Sequence, residues 1–198
     1  MSVHSDELVD LVSVKIVISG GFGVGKTTFV GAISEVEPLL TEADMTDASD
    51  GVDDRRHVPG KVTTTVALDF GRISLDDNLR LYLFGTPGQD RYAFLWDDLV
   101  HGALGAVILL DTLRIEDCFP AIDYFEEHGV PFLVAVNLFE GVPRFDLAEV
   151  REALGVSDHV PVVDCDARRR DSVKHVLVAL IEEVLARAIA HQNQEVRL

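Results

Sequence analysis

The chain has 198 residues, of which 47% are hydrophobic and 26% are charged, so it is long and apolar enough for one folded domain over residues 1–198. Its formal net charge of −17 disfavours nucleic acid as a partner, because phosphate groups would be repelled, and it disfavours direct binding to an anionic membrane. The two cysteines, Cys118 and Cys165, are too few for a disulfide framework and fit a reducing cytoplasm.

The two ends of the chain predict neither a signal peptide nor a lipid anchor. The first residues, MSVHSDELVDL, lack a basic stretch followed by an apolar one, residue 2 is serine rather than glycine, and the last residues are QEVRL. The sequence has no apolar run of the length that a membrane-spanning helix needs. We therefore expect a cytoplasmic protein that reaches the membrane only through its partners.

A phosphate-binding loop follows the first predicted strand. Residues 12–19 (VSVKIVIS) have the β-branched character of a buried strand, residues 20–27 (GGFGVGKT) fit the pattern G-x-x-x-x-G-K-[ST], and residues 26–33 are predicted to be helical. The backbone N–H groups of such a loop form a nest for phosphate oxygens at the start of the helix. Here they belong to Gly21, Gly23, Val24 and Gly25.

Three side chains at the end of this loop have predicted roles. Lys26 would neutralise the β- and γ-phosphates, and the Thr27 hydroxyl would bind Mg²⁺. Thr28 would approach the α-phosphate. A glycine-rich turn with a solvated lysine is the alternative, which the strand before the loop and the helix after it disfavour.

The remainder of the chain alternates strands and helices. Residues 36–61 are acidic and poor in apolar residues, which predicts a long mobile loop. Beyond it, the apolar patterns predict strands over 62–75, 79–84, 105–111, 131–137 and 160–163, the first two joined by a turn at 76–78, and helices near 92–101, 114–128, 146–154 and 171–191. This order predicts an α/β fold with a mostly parallel sheet of about six strands.

Five segments carry a resemblance to small Ras-like GTPases over essentially the whole chain. They are TTTVALDFG, FGTPGQDRY, HGALGAVILLD, AVNLFEG and DCDAR, in this order. Within that superfamily the chain looks closest to the bacterial branch near MglA, and closer still to the conservon GTPases of actinobacteria, the CvnD group. The resemblance implies a P-loop NTPase with a three-layer fold, a first switch loop at 36–61, and GTP or GDP with Mg²⁺ as ligands. It also implies a complex with a roadblock-type protein and a membrane histidine kinase.

The resemblance assigns roles to the residues of the two switches. Thr65, or less favourably Thr64, would bind Mg²⁺ through its hydroxyl and the γ-phosphate through its backbone N–H. Gly88 would donate its N–H to the γ-phosphate, and Gln89 would orient the attacking water while Lys26 neutralises charge in catalysis. Strand propensity is the alternative explanation for the threonines, and a solvated loop position is the alternative for Gln89.

The base-recognition segment departs from the N-K-x-D of the family and reads NLFE. Asn137 would fix the loop, and Glu140 would accept the N1–H and N2–H of guanine, although it is one methylene longer than the usual aspartate. Leu138 lacks the charge of the family's lysine. The backbone N–H of Ala167 would donate to guanine O6, and Arg168 would cover the base. Guanine is therefore favoured over adenine, with a weakened recognition segment.

Two further departures affect the phosphate end. Gly85 occupies the position of the aspartate that supports Mg²⁺ in the family; Asp69 is a candidate substitute, although a surface position on its strand is the favoured interpretation. Phe22 replaces a small residue beside the γ-phosphate, where its ring would obstruct an arginine supplied by an activator and crowd Gln89. We therefore expect slow hydrolysis.

Three hypotheses follow from these residues. The first is a regulatory GTPase, and the second is a non-hydrolysing, nucleotide-dependent scaffold, which Gly85, Leu138 and Phe22 favour. The third is a P-loop kinase or ATPase, which the acidic stretch 42–54 and the TPGQ turn disfavour. The aromatic residues that follow the second switch, including Phe94 and Trp96, would either enter the core or form a partner contact.

Overall fold

The computed structural model describes residues 11–37, 41–44, 65–88 and 94–195. The strands are β1 (Val12–Ser19), β2 (Thr41–Asp44), β3 (Thr65–Leu68), β4 (Phe70–Ser74), β5 (Leu79–Gly85), β6 (Gly105–Leu110), β7 (Phe132–Asn137) and β8 (Val162–Cys165). Six of them form one sheet in the order β4-β5-β1-β6-β7-β8. Strand β4 runs antiparallel to β5, and the other neighbours in this sheet are parallel. The predicted α/β class and six-stranded, mostly parallel sheet are confirmed.

Helices cover both faces of this sheet and give three layers. They are α1 (Lys26–Ile33), α2 (Trp96–Val100), α3 (Phe119–Glu127), α4 (Leu147–Leu154) and α5 (Arg170–Glu195). On one face, Phe29 of α1 and Leu180 of α5 pack in a single apolar cluster; on the other, Phe125 of α3 packs with residues of α2 and α4. Strands β6 and β7 are buried at every position because both of their faces meet helices, which explains their uninterrupted apolar sequences.

The predicted strand over 62–75 is two strands that belong to different sheets. Strand β3 pairs antiparallel with β2, whereas β4 joins the main sheet, and Asp69 separates them. Strand β2 lies inside the stretch 36–61 that the sequence predicts as one loop. Its acidic composition concealed it, because a two-stranded ladder is held by backbone hydrogen bonds and needs no alternating apolar face. The rest of the predicted loop, residues 38–40 and 45–61, lies outside the described residues.

Helix boundaries differ from the prediction where proline and capping groups act. The predicted helix over 114–128 begins as a 3₁₀ turn at Ile115–Cys118, and α3 starts only at Phe119, because Pro120 cannot continue an earlier helix. Helix α4 begins where the Asp146 carboxylate accepts the N–H of Ala148, and it ends at Gly155 with φ of 65°. Within the described ranges, none of the helices combines the length and the apolarity that crossing a membrane requires.

The parallel strands place the candidate residues at one edge of the sheet. Strands β1, β5, β6, β7 and β8 all end there, and the segments that follow them begin with Gly20, Thr86, Asp111, Leu138 and Asp166. Loops at the carboxyl ends of parallel strands form the ligand crevice of open α/β sheets. The strand order therefore brings the phosphate loop, the TPG turn and the base-recognition segment together.

Candidate functional site

Two glycines of the phosphate loop have backbone angles and neighbours that disfavour any side chain. Gly25 ends the loop with φ of 105°, and a Cβ there would lie 2.7 Å from Asn137 Nδ2. Gly20 begins it with φ of 131°, and a Cβ there would lie 2.4 Å from the carbonyl oxygen of Leu109. Positive φ and these close approaches explain why the motif requires glycine at both positions.

Lys26 is folded into the loop and shares its ammonium group between two backbone carbonyls. Nζ donates to the oxygens of Gly20 at 2.8 Å and Gly21 at 2.7 Å, and only 8% of the residue is exposed. Burial lowers the pKa of this amine to about 8, against a smaller opposing effect of the Asp69 charge. Within the described ranges, the hydrogen bonds of Nζ go to these carbonyls rather than to a carboxylate, and a phosphate would supply a fully charged partner.

The TPG turn after β5 lies directly against this lysine. A Cβ at Gly88 would lie 2.7 Å from Lys26 Nζ and 2.9 Å from Phe22 Cα. The turn is also attached to the end of β1, where Thr86 Oγ1 and Ser19 Oγ form a buried hydrogen bond of 3.1 Å. Gly88 therefore occupies space beside the ammonium group, at the position where the sequence predicts the γ-phosphate.

Asp69 reaches the phosphate loop, contrary to the surface position that the sequence favoured. The Thr27 hydroxyl donates to Asp69 Oδ2 at 2.9 Å. A Cβ at Gly85 would lie 2.8 Å from Asp69 Cβ and 3.0 Å from its Oδ2, so the side chain of Asp69 fills the space that a residue at 85 would need. Gly85, which stands where Ras-like GTPases have an aspartate, therefore leaves room for the carboxylate of Asp69 from the segment between β3 and β4.

At the base end, Asn137 joins three loops. Its side chain is buried, with Nδ2 donating to the carbonyl of Val24 at 2.9 Å and Oδ1 accepting the N–H of Ala167 at 3.0 Å. The structure thus brings Asn137 and Ala167 together with the phosphate loop. The Ala167 N–H is already used by Asn137, so a contact with guanine O6 would require this donor to be shared or redirected.

Arg168 forms an ion pair at the edge of a cleft next to the NLFE segment. Its Nε and Nη2 donate to the two carboxylate oxygens of Asp166 at 2.9 and 3.0 Å, and this pairing lowers the pKa of Asp166. The side chain of Arg168 is 60% exposed, and its pKa is raised by Asp166 first and, more weakly, by Glu140. A cleft of about 170 Å³ is lined by Gly23, Gly25, Thr28, Asn137, Leu138, Phe139, Glu140, Ala167 and Arg168.

Several predicted residues are not tested by this geometry. Gln89, Thr64 and the aromatic residue Tyr92 lie outside the described residues, and only the backbone of Thr65 is described, in β3. The two described aromatic residues after the second switch divide between the predicted alternatives: Phe94 is 56% exposed, whereas Trp96 packs edge-on to Tyr124 of α3.

The sequence analysis also missed Arg114, which follows β6. Nη1 of Arg114 donates to the carbonyl oxygen of Phe22 at 3.1 Å, while Nε and Nη2 donate to Asp111. The signal that could have found it is an aspartate at the end of a parallel strand, followed by an arginine three residues later. Phe22 itself is 67% exposed at the mouth of the site.

Comparison with known proteins identifies the family. The sequence profile of the family described as conserved hypothetical ATP binding protein matches residues 18–187. The chain belongs to this family. It is also 28% identical over 142 residues to an uncharacterized protein of Methanocaldococcus jannaschii, MJ1339, covering 69% of this chain and 77% of that one.

Other relatives are Ras-related proteins. The chain is 25% identical over 132 residues to the Ras-related protein SEC4 of Saccharomyces cerevisiae, which covers 61% of each chain. It is 23% identical over 188 residues to the Ras and EF-hand domain-containing protein homolog of Caenorhabditis elegans, covering 87% of this chain. The chain spans 61% of the yeast protein and 26% of the nematode protein, less than two thirds of either.

Solved structures with the same fold are G domains. The G domain of FeoB from Methanococcus jannaschii superposes with a TM-score of 0.57 at 17% identity and covers 88% of this chain and 99% of that one. The cytosolic domain of the T. maritima FeoB iron transporter in a GDP form has a TM-score of 0.62 at 18% identity, covering 88% of this chain and 64% of that one. The family and the fold together describe a nucleotide-binding P-loop protein built like a small GTPase.

Proposed function

We propose that the chain is a guanine-nucleotide-dependent switch that binds GTP and GDP with Mg²⁺ and slowly hydrolyses GTP to GDP and phosphate. The observation that carries this proposal is the contact between the TPG turn and the phosphate loop at Lys26. Gly88 lies against an ammonium group whose hydrogen bonds, among the described residues, go to the backbone carbonyls of Gly20 and Gly21. A γ-phosphate that binds this ammonium competes for the same space as the turn.

This competition gives the switch its two states. With GTP, Lys26 turns from the carbonyls of Gly20 and Gly21 to the phosphates, and Gly88 moves so that its N–H can donate to the γ-phosphate. With GDP, the turn returns to its contact with Lys26 and Phe22. In this proposal the backbone N–H of Thr65 meets the γ-phosphate, so both switch segments respond to one group, and Gln89 orients the water that attacks it.

Thr27 and Asp69 fit the residues that would support Mg²⁺. Thr27 donates its hydroxyl proton to Asp69, which leaves the lone pairs of the oxygen available to a hard cation. Thr65 would supply a second hydroxyl from β3. When bound, Mg²⁺ neutralises charge that develops on the phosphate oxygens. Asp69 accepts the hydrogen bond of the Thr27 hydroxyl and adds negative charge. In Ras-like GTPases this role belongs to the aspartate at the position of Gly85.

Glu140 favours guanine over adenine in the base cleft. Its carboxylate offers two acceptors, which suit the N1–H and N2–H donors of guanine, whereas N1 of adenine is itself an acceptor and would be repelled. The description of the family names ATP, and Leu138 provides no charge for either base. The base preference is therefore the first property to measure.

The proposal also covers the cellular location and the partners of the switch. We place the chain in the cytoplasm, in a complex with a roadblock-type protein and a membrane histidine kinase that recruits it to the membrane. Support comes from the resemblance to the conservon GTPases in TTTVALDFG and FGTPGQDR, and from the exposed Phe94 beside the second switch. A pull-down with the nucleotide-loaded chain should retain the roadblock-type protein in one nucleotide state only.

Competition binding tests the nucleotide. A fluorescent guanosine diphosphate is bound with Mg²⁺ and displaced by GDP, GTP, ADP or ATP, and Lys26→Ala is compared with Lys174→Ala, an exposed lysine of α5. We expect displacement by guanine nucleotides alone, with binding lost in Lys26→Ala and retained in the control. Displacement by adenine nucleotides would refute the guanine assignment and favour the P-loop ATPase or kinase hypothesis.

A second candidate function is a scaffold that binds nucleotide without cleaving it. The exposed ring of Phe22 at the mouth of the phosphate site favours it, because the ring hinders an activating arginine. Phosphate release in single-turnover conditions separates the two functions. The switch predicts slow release that Gln89→Leu abolishes, whereas a scaffold shows the same background in both proteins.

A further inference from the structure

Arg114 is held between carboxylates beside the phosphate loop. Nε and Nη2 lie 3.2 and 3.1 Å from Asp111 Oδ2, and Nη1 lies 3.7 Å from Asp117 Oδ2. The side chain of Asp111 is only 12% exposed, and its other oxygen accepts the N–H of Leu113 at 3.0 Å. The two bonds to Asp111 fix the plane of the guanidinium group, so the direction of its third nitrogen, Nη1, is also fixed.

The guanidinium group of Arg114 is also bonded to the phosphate loop. Nη1 donates to the carbonyl oxygen of Phe22 at 3.1 Å, and Nη2 lies 3.9 Å from the Cβ position of Gly23. The same segment also contacts the preceding residue, since a Cβ at Gly21 would lie 2.6 Å from Asp117 Cβ. Three consecutive residues of the phosphate loop therefore rest on the segment that follows β6.

We propose that Arg114 is a positioning residue that fixes the Phe22–Gly23 peptide and so makes the site selective for a nucleoside diphosphate over a monophosphate. The carbonyl and the N–H of a trans peptide point in opposite directions. Anchoring the Phe22 carbonyl on Arg114 therefore directs the Gly23 N–H away from Arg114, toward the cleft that Gly23 lines with Thr28. That N–H becomes a preoriented donor to the phosphate chain.

The need for such an anchor follows from the glycine itself. Gly23 has φ of 74°, and glycine passes between positive and negative φ at little energetic cost, so the unanchored peptide would turn freely. Arg114 does not act as a second phosphate-binding cation. Its charge is matched by the carboxylates of Asp111 and Asp117, which give the group of three a formal charge of −1.

The experiment compares Arg114→Ala and Arg114→Lys with a matched control. Lysine keeps the charge but cannot reproduce the fork of contacts to Asp111 and Phe22. The control is Arg151→Ala, because Arg151 Nη1 makes the same kind of bond, to the carbonyl of Ser157 at 2.9 Å, on α4. Two readouts are taken: dissociation rates of fluorescent GDP and GMP, and hydrogen–deuterium exchange of the peptide 20–25 in the nucleotide-free chain.

Both Arg114 variants should release GDP about tenfold faster, equivalent to about 1.4 kcal/mol. GMP release should change less than twofold, and exchange in 20–25 should accelerate, with neither effect in Arg151→Ala. Equal acceleration of GDP and GMP release, or unchanged exchange, would overturn the inference.

The inference rests on the proposed nucleotide site, and the two readouts separate their failures. If the wild-type chain binds no nucleotide while Arg114→Ala still accelerates exchange, the proposed function fails and the anchoring of the Phe22–Gly23 peptide stands. If the wild-type chain binds GDP and the variants release it at the wild-type rate, the anchoring role fails and the proposed function stands. Arg114→Lys keeps the test valid if the alanine variant does not fold.

Discussion

Asp69→Asn isolates the charge that the structure places next to Thr27. Asparagine has nearly the same size as aspartate and can still accept the hydroxyl hydrogen bond that Thr27 donates at 2.9 Å. The negative charge is lost, and one carboxylate oxygen becomes an amide NH2 group. If Asp69 substitutes for the missing carboxylate of the second switch, the variant should weaken nucleotide binding in the presence of Mg²⁺ and leave binding in EDTA unchanged.

The expected magnitude follows from the exposure of this pair. Outer-shell carboxylates contribute about 10- to 100-fold to metal affinity. Thr27 is exposed and Asp69 is half-buried, so water screens the interaction and the lower end applies. We expect about a tenfold loss of Mg²⁺-dependent affinity, or about 1.4 kcal/mol. Asp77→Asn, in the exposed turn between β4 and β5, is the matched control and should change nothing.

A positional swap then tests the relation between Asp69 and Gly85. Gly85→Asp alone should destabilise the fold by about 1–3 kcal/mol, because its Cβ would lie 2.8 Å from that of Asp69. Combining it with Asp69→Gly removes the clash and returns a carboxylate to the site, so Mg²⁺-dependent affinity should recover relative to Asp69→Gly. The assay is titration of fluorescent nucleotide with and without Mg²⁺. An Asp69→Asn variant with wild-type affinity in Mg²⁺ would refute the reasoning.

Three further predictions concern other parts of the site. The pKa of Lys26 is lowered to about 8 in the free chain, and bound phosphates would raise it, so nucleotide binding above pH 8 requires the uptake of a proton. Nucleotide affinity should therefore be flat below pH 8 and fall by up to about tenfold per pH unit above it. Binding titrations at pH 7–9.5 that show no such fall would contradict this prediction. Phe22→Gly should raise the single-turnover rate of hydrolysis. The increase should be strong if an activator supplies an arginine, because such an arginine accelerates hydrolysis by about 10³-fold or more. An unchanged rate in the presence of an activator would disprove the steric argument. Asn137→Ala removes two buried hydrogen bonds, at 2.9 and 3.0 Å, and should cost about 3 kcal/mol. At about 2–4 °C per kcal/mol this lowers the Tm by about 6–12 °C in differential scanning fluorimetry, and a shift below 2 °C would be inconsistent with its role as a link between loops.

The sequence predicted the central strands of the main sheet well because β6 and β7 are buried on both faces. Their nearly continuous apolar runs are typical of strands that helices cover on both sides, so a parallel, buried class could be inferred. Strand β2 could not be predicted in this way. Its residues, TEAD, carry no apolar pattern, and its existence depends on backbone pairing with β3, which lies more than twenty residues further along the chain.

The site was predictable where a motif defines the backbone and not where distant side chains meet. The phosphate loop requires Gly20, Gly25 and Lys26 at fixed spacing, so the sequence alone located it. Asp69 and Arg114 act on that loop from the segments that follow β3 and β6, and no established motif marks their contact with it. Their roles depend on which strand ends are neighbours in the sheet, and that is known only once the strand order is known.

The strand order also changes the inference from Gly85 about Mg²⁺ binding. The N–H of Gly85 donates to the carbonyl of Asp69 at 2.8 Å, so the two residues lie side by side at the same edge of the sheet. Asp69 approaches Thr27 from its position, and a side chain at position 85 would clash with it, because its Cβ would lie 2.8 Å from Asp69 Cβ. The loss of aspartate at position 85 is therefore no argument against a supported Mg²⁺ site. The scaffold hypothesis then depends on Phe22 and Leu138 alone, and both affect steps other than the binding of the metal.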